Sequence, residues 1–162
     1  MRNFDLKKLM LAALLASFTC VCTMIIQIPN GIGGYFNLGD CIVLLSGWGL
    51  GPIYGAISAG IGSMLADVFS SYLVYAPATF VIKALMAVVA FYTLRKGVLS
   101  TVVSCICAEL VMIAGYFAFE WVLYGFGTAT LSAIPNALQG ACGIVCAVIL
   151  KEFLERKRLW KF

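Results

Sequence analysis

The chain has 162 residues, of which 63% are hydrophobic and only 11% charged, with a net charge of +4 and a mean hydropathy of +1.04. Soluble domains carry about 25% charged residues, so this composition excludes an ordinary water-soluble enzyme and points to a polytopic membrane protein. Ten of the eleven Lys and Arg residues flank apolar runs, at Arg2, Lys7 and Lys8, at Arg95 and Lys96, and from Lys151 to Lys161. That pattern marks topology and excludes a nucleic-acid surface.

The predicted elements form one domain spanning residues 1–162, an all-α membrane protein with six transmembrane helices. Helix 1 covers Leu6 to Ile28 and ends at Pro29-Asn30-Gly31. It is too long for a signal-peptide core and lacks a small-residue cleavage site, so it is expected to stay as a membrane helix. Helix 2 is short, Leu38 to Trp48, and stops at Gly49-Leu50-Gly51-Pro52. Helix 3 runs from Ile53 to Ser71, and helix 4 from Pro77 to Leu94. Helix 5 spans Val98 to Leu123 and breaks at Gly125-Phe126-Gly127, and helix 6 runs from Thr128 into Lys151–Lys157.

Eleven residues rise only about 16 Å, less than the ~30 Å hydrocarbon core, so helix 2 must be shielded by its neighbours. Counting it as a crossing places both termini and the Arg95-Lys96 turn in the cytoplasm, as basic residues require. Asp40, Asp67, Lys83, Glu120 and Asn136, from five different helices, then share the outer half of the bundle. A charge at mid-bilayer costs roughly 2.5–3.5 kcal/mol, so convergence on a common polar cavity is the simplest arrangement. An ion pair between Asp67 and Lys83 that merely fastens two helices is the structural alternative.

The candidate ligand-binding residues are Asn37 and Asp40 at the mouth, Asp67 and Lys83 on the wall, Asn136 and Gln139 on helix 6, and Tyr75 as a stacking ring. The tyrosines and Trp121 near the outer boundary also fit an interfacial aromatic belt. Rows of small residues on helix 3, among them Gly51, Gly55, Ala59 and Gly62, permit close helix contact. Glu109, near mid-membrane, is the residue a stand-alone carrier or channel would use. The run from Glu155 to Phe162 reads as an interfacial anchor.

Seven cysteines and no histidine give no metal-ligand set. Cys20/Cys22 and Cys105/Cys107 lie about 200° apart on a helix, so no metal and no cofactor is expected. The Asn30–Gly34 turn lacks the Gly-Lys-Ser/Thr and strand–helix context of a phosphate loop. Without a nucleotide motif, the chain cannot be its own ATPase. Without histidine, no nucleophile–base pair of the usual kind can be built.

Tyr35-Phe36-Asn37-Leu38-Gly39-Asp40, Gly51-Pro52-x-x-Gly55-Ala56, Gly60-x-Gly62-x-x-Leu65-x-Asp67, Tyr75-Ala76-Pro77-Ala78-Thr79 and Ile82-Lys83 follow one another in order. In this set the chain resembles the substrate-binding S components of energy-coupling factor (ECF) vitamin transporters. The resemblance implies a multi-pass protein of the bacterial plasma membrane that binds a vitamin or vitamin precursor near the outer face. The substrate would be of pyridoxine, hydroxymethylpyrimidine or riboflavin type, under a cap formed by the loop between helices 1 and 2. It also implies partnership with a transmembrane coupling (T) subunit and two cytoplasmic ATPases, docked through small residues on helix 1 that map onto Ala12 and Ala16.

Overall fold

The computed structural model describes residues 6–29 and 35–158. Arg2, the Asn30–Gly34 turn and the last four residues of the expected C-terminal anchor lie outside them. The elements are α1 (Leu6–Ile25), β1 (Ile28–Pro29), β2 (Tyr35–Phe36), α2 (Asp40–Phe69), α3 (Ala76–Thr93), α4 (Val98–Tyr124) and α5 (Phe126–Arg156). All five helices are long and apolar enough to cross a membrane. Helices suit that solvent because lipid offers no partner to a free backbone amide or carbonyl.

Side chains are sorted as lipid demands. Phe18, Leu85, Leu110, Ile134, Leu138 and Ile149 face outward, whereas Ala59, Ala66, Ala87, Ala90, Ala108 and Ala147 have no exposed surface. Small residues inside let backbones approach, and large ones outside meet acyl chains.

The expected helices 2 and 3 are not separate elements: both fall within α2, and Gly51 interrupts it with φ 83° and ψ 179°. Only glycine adopts that left-handed, extended geometry without strain. Pro52, which needs no amide partner in a first turn, then restarts the helix. A Cβ placed on Gly55 would lie 2.5 Å from the Ser46 carbonyl oxygen and 2.8 Å from Gly47 Cα. In a straight helix nine residues span about 13.5 Å, so the two arms fold back on each other at Gly51. The first arm is enclosed, with every residue from Asp40 to Trp48 buried. That enclosure is the shielding its short length calls for. α2 accordingly packs on α1, α3 and α5 at once.

Other boundaries differ for local reasons. α1 stops at Ile25 rather than Ile28, because Ile28 and Pro29 turn extended and pair antiparallel with Phe36 and Tyr35. α5 starts at Phe126 rather than Thr128, since Gly125 alone, at φ 87°, turns the chain between α4 and α5.

The bundle has two distinct ends. At one, Gln27 Nε2 donates to Ser70 Oγ at 2.8 Å, tying the finish of α1 to that of α2 beside the small ribbon. At the other, Trp48 Nε1 donates to Ser104 Oγ (3.0 Å), which donates to the Ala90 carbonyl (2.8 Å). Arg95, Lys96 and Lys151 gather there around a cleft.

The tightness of the α2 fold-back is testable. Gly55→Ala should lower stability by about 1–3 kcal/mol through overpacking, whereas Gly127→Ala, with open space around it, should be neutral. Unfolding curves in detergent measure both, and equal stability of the two variants would contradict the fold-back.

Candidate ligand-binding site

The deepest polar feature is an ion pair. Lys83 Nζ on α3 donates to Asp40 Oδ1 on α2, with side-chain exposures of 3% and 0%. Gln139 Nε2 on α5 donates to the other Asp40 oxygen at 2.7 Å. Met112 Sδ on α4 accepts from both Lys83 and Gln139 at 3.2 Å. Four helices therefore meet at one centre, and both Asp40 oxygens are satisfied there. Burying two ions is tolerable only with such complete partnering. The expected alternative pair, Asp67 with Lys83, does not form; the partner of Lys83 is Asp40.

From this floor the network rises toward the ribbon end. Gln139 Oε1 accepts from the Asn37 backbone amide (3.0 Å) and side-chain amide (3.2 Å). Asn37 Oδ1 accepts from Gly39 N at 2.9 Å, shaping the turn into α2. Gly39 itself is pressed so closely to the Thr23 hydroxyl that no side chain fits. The segment after the ribbon is thus pinned from α1 and α5.

Above the floor lies a small polar cavity that opens to the surface. Its wall takes Thr23 from α1, Tyr35 and Asn37 from the ribbon segment, and Ser63 and Asp67 from α2. Tyr72, Tyr75, Thr79 and Lys83 come from the α2–α3 corner, Tyr116 and Glu120 from α4, and Asn136 and Gln139 from α5. Six of the seven residues singled out in the sequence line it; Asp40 stands behind the wall and holds two of them.

Two carboxylates face this space. Tyr35 OH donates to Asp67 Oδ1 at 2.5 Å, and Tyr35 packs on Tyr72 with ring centroids 4.7 Å apart. Asp67 Oδ2 is buried and accepts no hydrogen bond among the described residues. Glu120 accepts from Tyr75 OH at 3.2 Å and from Ser132 Oγ. Burial first, and the neighbouring carboxylate second, push the Tyr35 and Tyr75 phenols well above the usual tyrosine range. Both therefore remain proton donors at any physiological pH.

Sequence reasoning passed over Thr79 and Tyr116, whose hydroxyls share a hydrogen bond at 3.0 Å, with the Tyr116 ring 5.7 Å from Lys83 Nζ. Tyr116 sits in the long apolar run of α4, and nothing in its spacing separates it from lipid-facing residues. Trp121, 55% exposed, stacks with Phe117 and Phe126 away from the cavity, as a belt residue does. Glu109 also lies off the wall. It is buried beneath Gly140 and Gly143, next to Asp40, and neither oxygen has a partner among the described residues. Of the two residues expected at the docking face, Ala12 is 6% exposed, while Ala16 is half-buried with its carbonyl against Gly62.

A helical membrane bundle with a closed polar floor and a cavity open at one end is the architecture of a solute-binding transport subunit. The description "ECF-type riboflavin transporter, S component" matches residues 3–156. The chain belongs to that family, so it is a transporter component and not an enzyme. It is 32% identical over 141 residues to a Pyrococcus woesei protein described as "Uncharacterized protein in gap 3'region", covering 85% of this chain and 94% of that one. It is 27% identical to the thiamine precursor transporter HmpT of Lactococcus lactis subsp. cremoris, covering 96% and 92%. A solved S component of a bacterial ECF transporter superposes with a TM-score of 0.77 at 22% identity, over 94% of this chain and 97% of that one, and so shares the fold.

The buried pair gives a second test. Lys83→Met or Asp40→Leu should each cost about 3–5 kcal/mol, because the remaining partner is left buried without its counter-charge. Combining Lys83→Met with Asp40→Leu should recover much of the loss. Chemical unfolding in detergent reads all three; a double variant as damaged as the sum of the singles would contradict the pairing.

Proposed function

We propose that this protein captures a vitamin or vitamin precursor from outside the cell and delivers it to an ATP-driven ECF complex. The observation that carries this reading is the ribbon-end cavity, walled by tyrosines and amides and closed below by the Asp40–Lys83 centre. Basic residues cluster at the opposite end of the helices, which favours a cytoplasmic placement there. Counting the two arms of α2 separately gives six crossings of the cell membrane, with both termini inside.

The aromatic walls suit a planar ring, which fits the pyridoxine, hydroxymethylpyrimidine and riboflavin types. The name of the Lactococcus relative, a thiamine precursor transporter, supports the pyrimidine type among them. Asn37, Asp67, Tyr75, Asn136 and Gln139 would touch the ligand, while Asp40 and Lys83 hold the floor. Docking onto a transmembrane coupling subunit, itself joined to two ATPases, would use α1, where Ala16 borders the exposed stripe containing Ala13 and Ser17. Membership in the S component family favours this reading over a stand-alone carrier built on Glu109.

The purified protein should bind at least one compound of the three types, and Asn136→Ala should weaken binding at least about 5-fold, the worth of one buried hydrogen bond. Uptake into cells should require co-expression of the coupling subunit and ATPases. Binding of none of the three, or uptake by this chain without them, would refute the reading. Ala13→Trp on the exposed side of α1 should abolish uptake while leaving ligand affinity unchanged; normal uptake would remove α1 from the docking surface.

A further inference from the structure

The proposed function leaves the chemistry of the ligand open, and the cavity wall narrows it. Asp67 is 3% exposed and lines the cavity, yet only one of its oxygens is engaged, by the Tyr35 phenol. The other, Oδ2, has no partner among the described residues. A buried carboxylate oxygen left without a donor is costly, so the vacancy calls for a donor that arrives from outside the protein. Tyr35 cannot supply it while its hydroxyl is on Oδ1, and Tyr35 is itself held by its contact with Tyr72. The Thr79 hydroxyl, which shares a hydrogen bond with Tyr116, lies near enough to act on Asp67 but makes no hydrogen bond to Oδ2.

The charge balance points the same way. Among the described residues lining the cavity, Lys83 is the one cation, and its ammonium is committed to Asp40. Asp67 and Glu120 add two carboxyl groups to the same wall. A phosphate or carboxylate on the ligand would find no uncommitted cation there and would face carboxylates in a low-dielectric space, where like charges repel strongly. Tyr72, Tyr75 and Tyr116 place aromatic side chains in the cavity wall. They suit a flat solute, and they favour one that is neutral or cationic.

Resting on the vitamin-binding reading, we propose that Asp67 Oδ2 is the specificity-determining acceptor of this site. It receives an N–H from an unphosphorylated, planar nitrogen heteroaromatic ligand, while Tyr35 holds the carboxylate in position. Asp67 thereby selects among rings by the presence of an N–H, not by size.

The test uses matched ligands that differ in that donor. One pair is (4-amino-2-methylpyrimidin-5-yl)methanol and its analogue with hydrogen at position 4. The other is riboflavin and N3-methylriboflavin. Dissociation constants are measured by calorimetry on the full-length protein in detergent, for the wild type and for Asp67→Asn, with pyridoxine as a further probe. For at least one pair, the donor-bearing member should bind the wild type at least about 10-fold more tightly, in line with the difference between a satisfied and an unsatisfied buried acceptor. Asp67→Asn should reduce that ratio to below about 3-fold. Wild-type protein that binds both members equally in every pair it binds, or that binds pyridoxine alone with an affinity unchanged in Asp67→Asn, would overturn the role of Asp67 and leave vitamin binding intact. Binding of no probe at all would overturn vitamin binding itself. The wild-type ratio decides the matter even if Asp67→Asn proves unstable, and a ratio that survives in a folded Asp67→Asn protein would also overturn the assignment.

Discussion

The contact between Lys83 and Asp40 is the constraint on which the rest of the structure depends. Neither group can sit in a hydrocarbon-thickness bundle by itself, so each fixes the other, and with it α2 against α3. Gln139 then closes on the second Asp40 oxygen from α5, and Met112 receives hydrogen bonds from both sides on α4. Four helices are bound to one point by groups that have nowhere else to go. Membrane helices lack the hydrophobic drive that unites soluble ones, and a polar knot of this kind supplies part of the specificity that drive would otherwise give.

That knot also explains why the cavity exists where it does. Below it the helices close tightly: Gly47 sits on the Ala87 backbone, and Gly55 sits on Ser46 and Gly47. Above it the wall carries large polar side chains, Tyr35, Tyr75, Tyr116, Glu120 and Asn136, that hold the helices apart. The ribbon segment contributes Tyr35 and Asn37 to this wall and is tied by Asn37 to Gln139, one bond from Asp40. A ligand touching Gln139 therefore touches both the floor and the mouth.

Much of this was legible in the sequence because hydrocarbon makes polar residues conspicuous. In a chain with 11% charged residues, Asp40, Asp67, Lys83, Glu120, Asn136 and Gln139 stand out, and their depths along the predicted helices brought them together. Pairing was not legible. Asp67 and Asp40 lie at comparable depth, and only the rotation of the two α2 arms decides which of them meets Lys83. The Gly51-Pro52 break was visible, but it folds the two arms against each other within one element instead of dividing two. Alanine spacing is the same on either face of a helix, so the burial of Ala12 and half-burial of Ala16 were not legible. Tyr116 carried no signal, since an aromatic in an apolar run is ordinary in lipid.

A high-resolution structure of the protein purified with its bound ligand is the most direct measurement of whether this polar cavity is where solute is held. The expected result is ring density between Tyr72, Tyr75 and Tyr116, above an undisturbed Asp40–Lys83 pair, with a ligand nitrogen within hydrogen-bond distance of Asp67. Density seated elsewhere on the molecule, or a ligand that displaces Asp40 from Lys83 to reach the lysine, would contradict it.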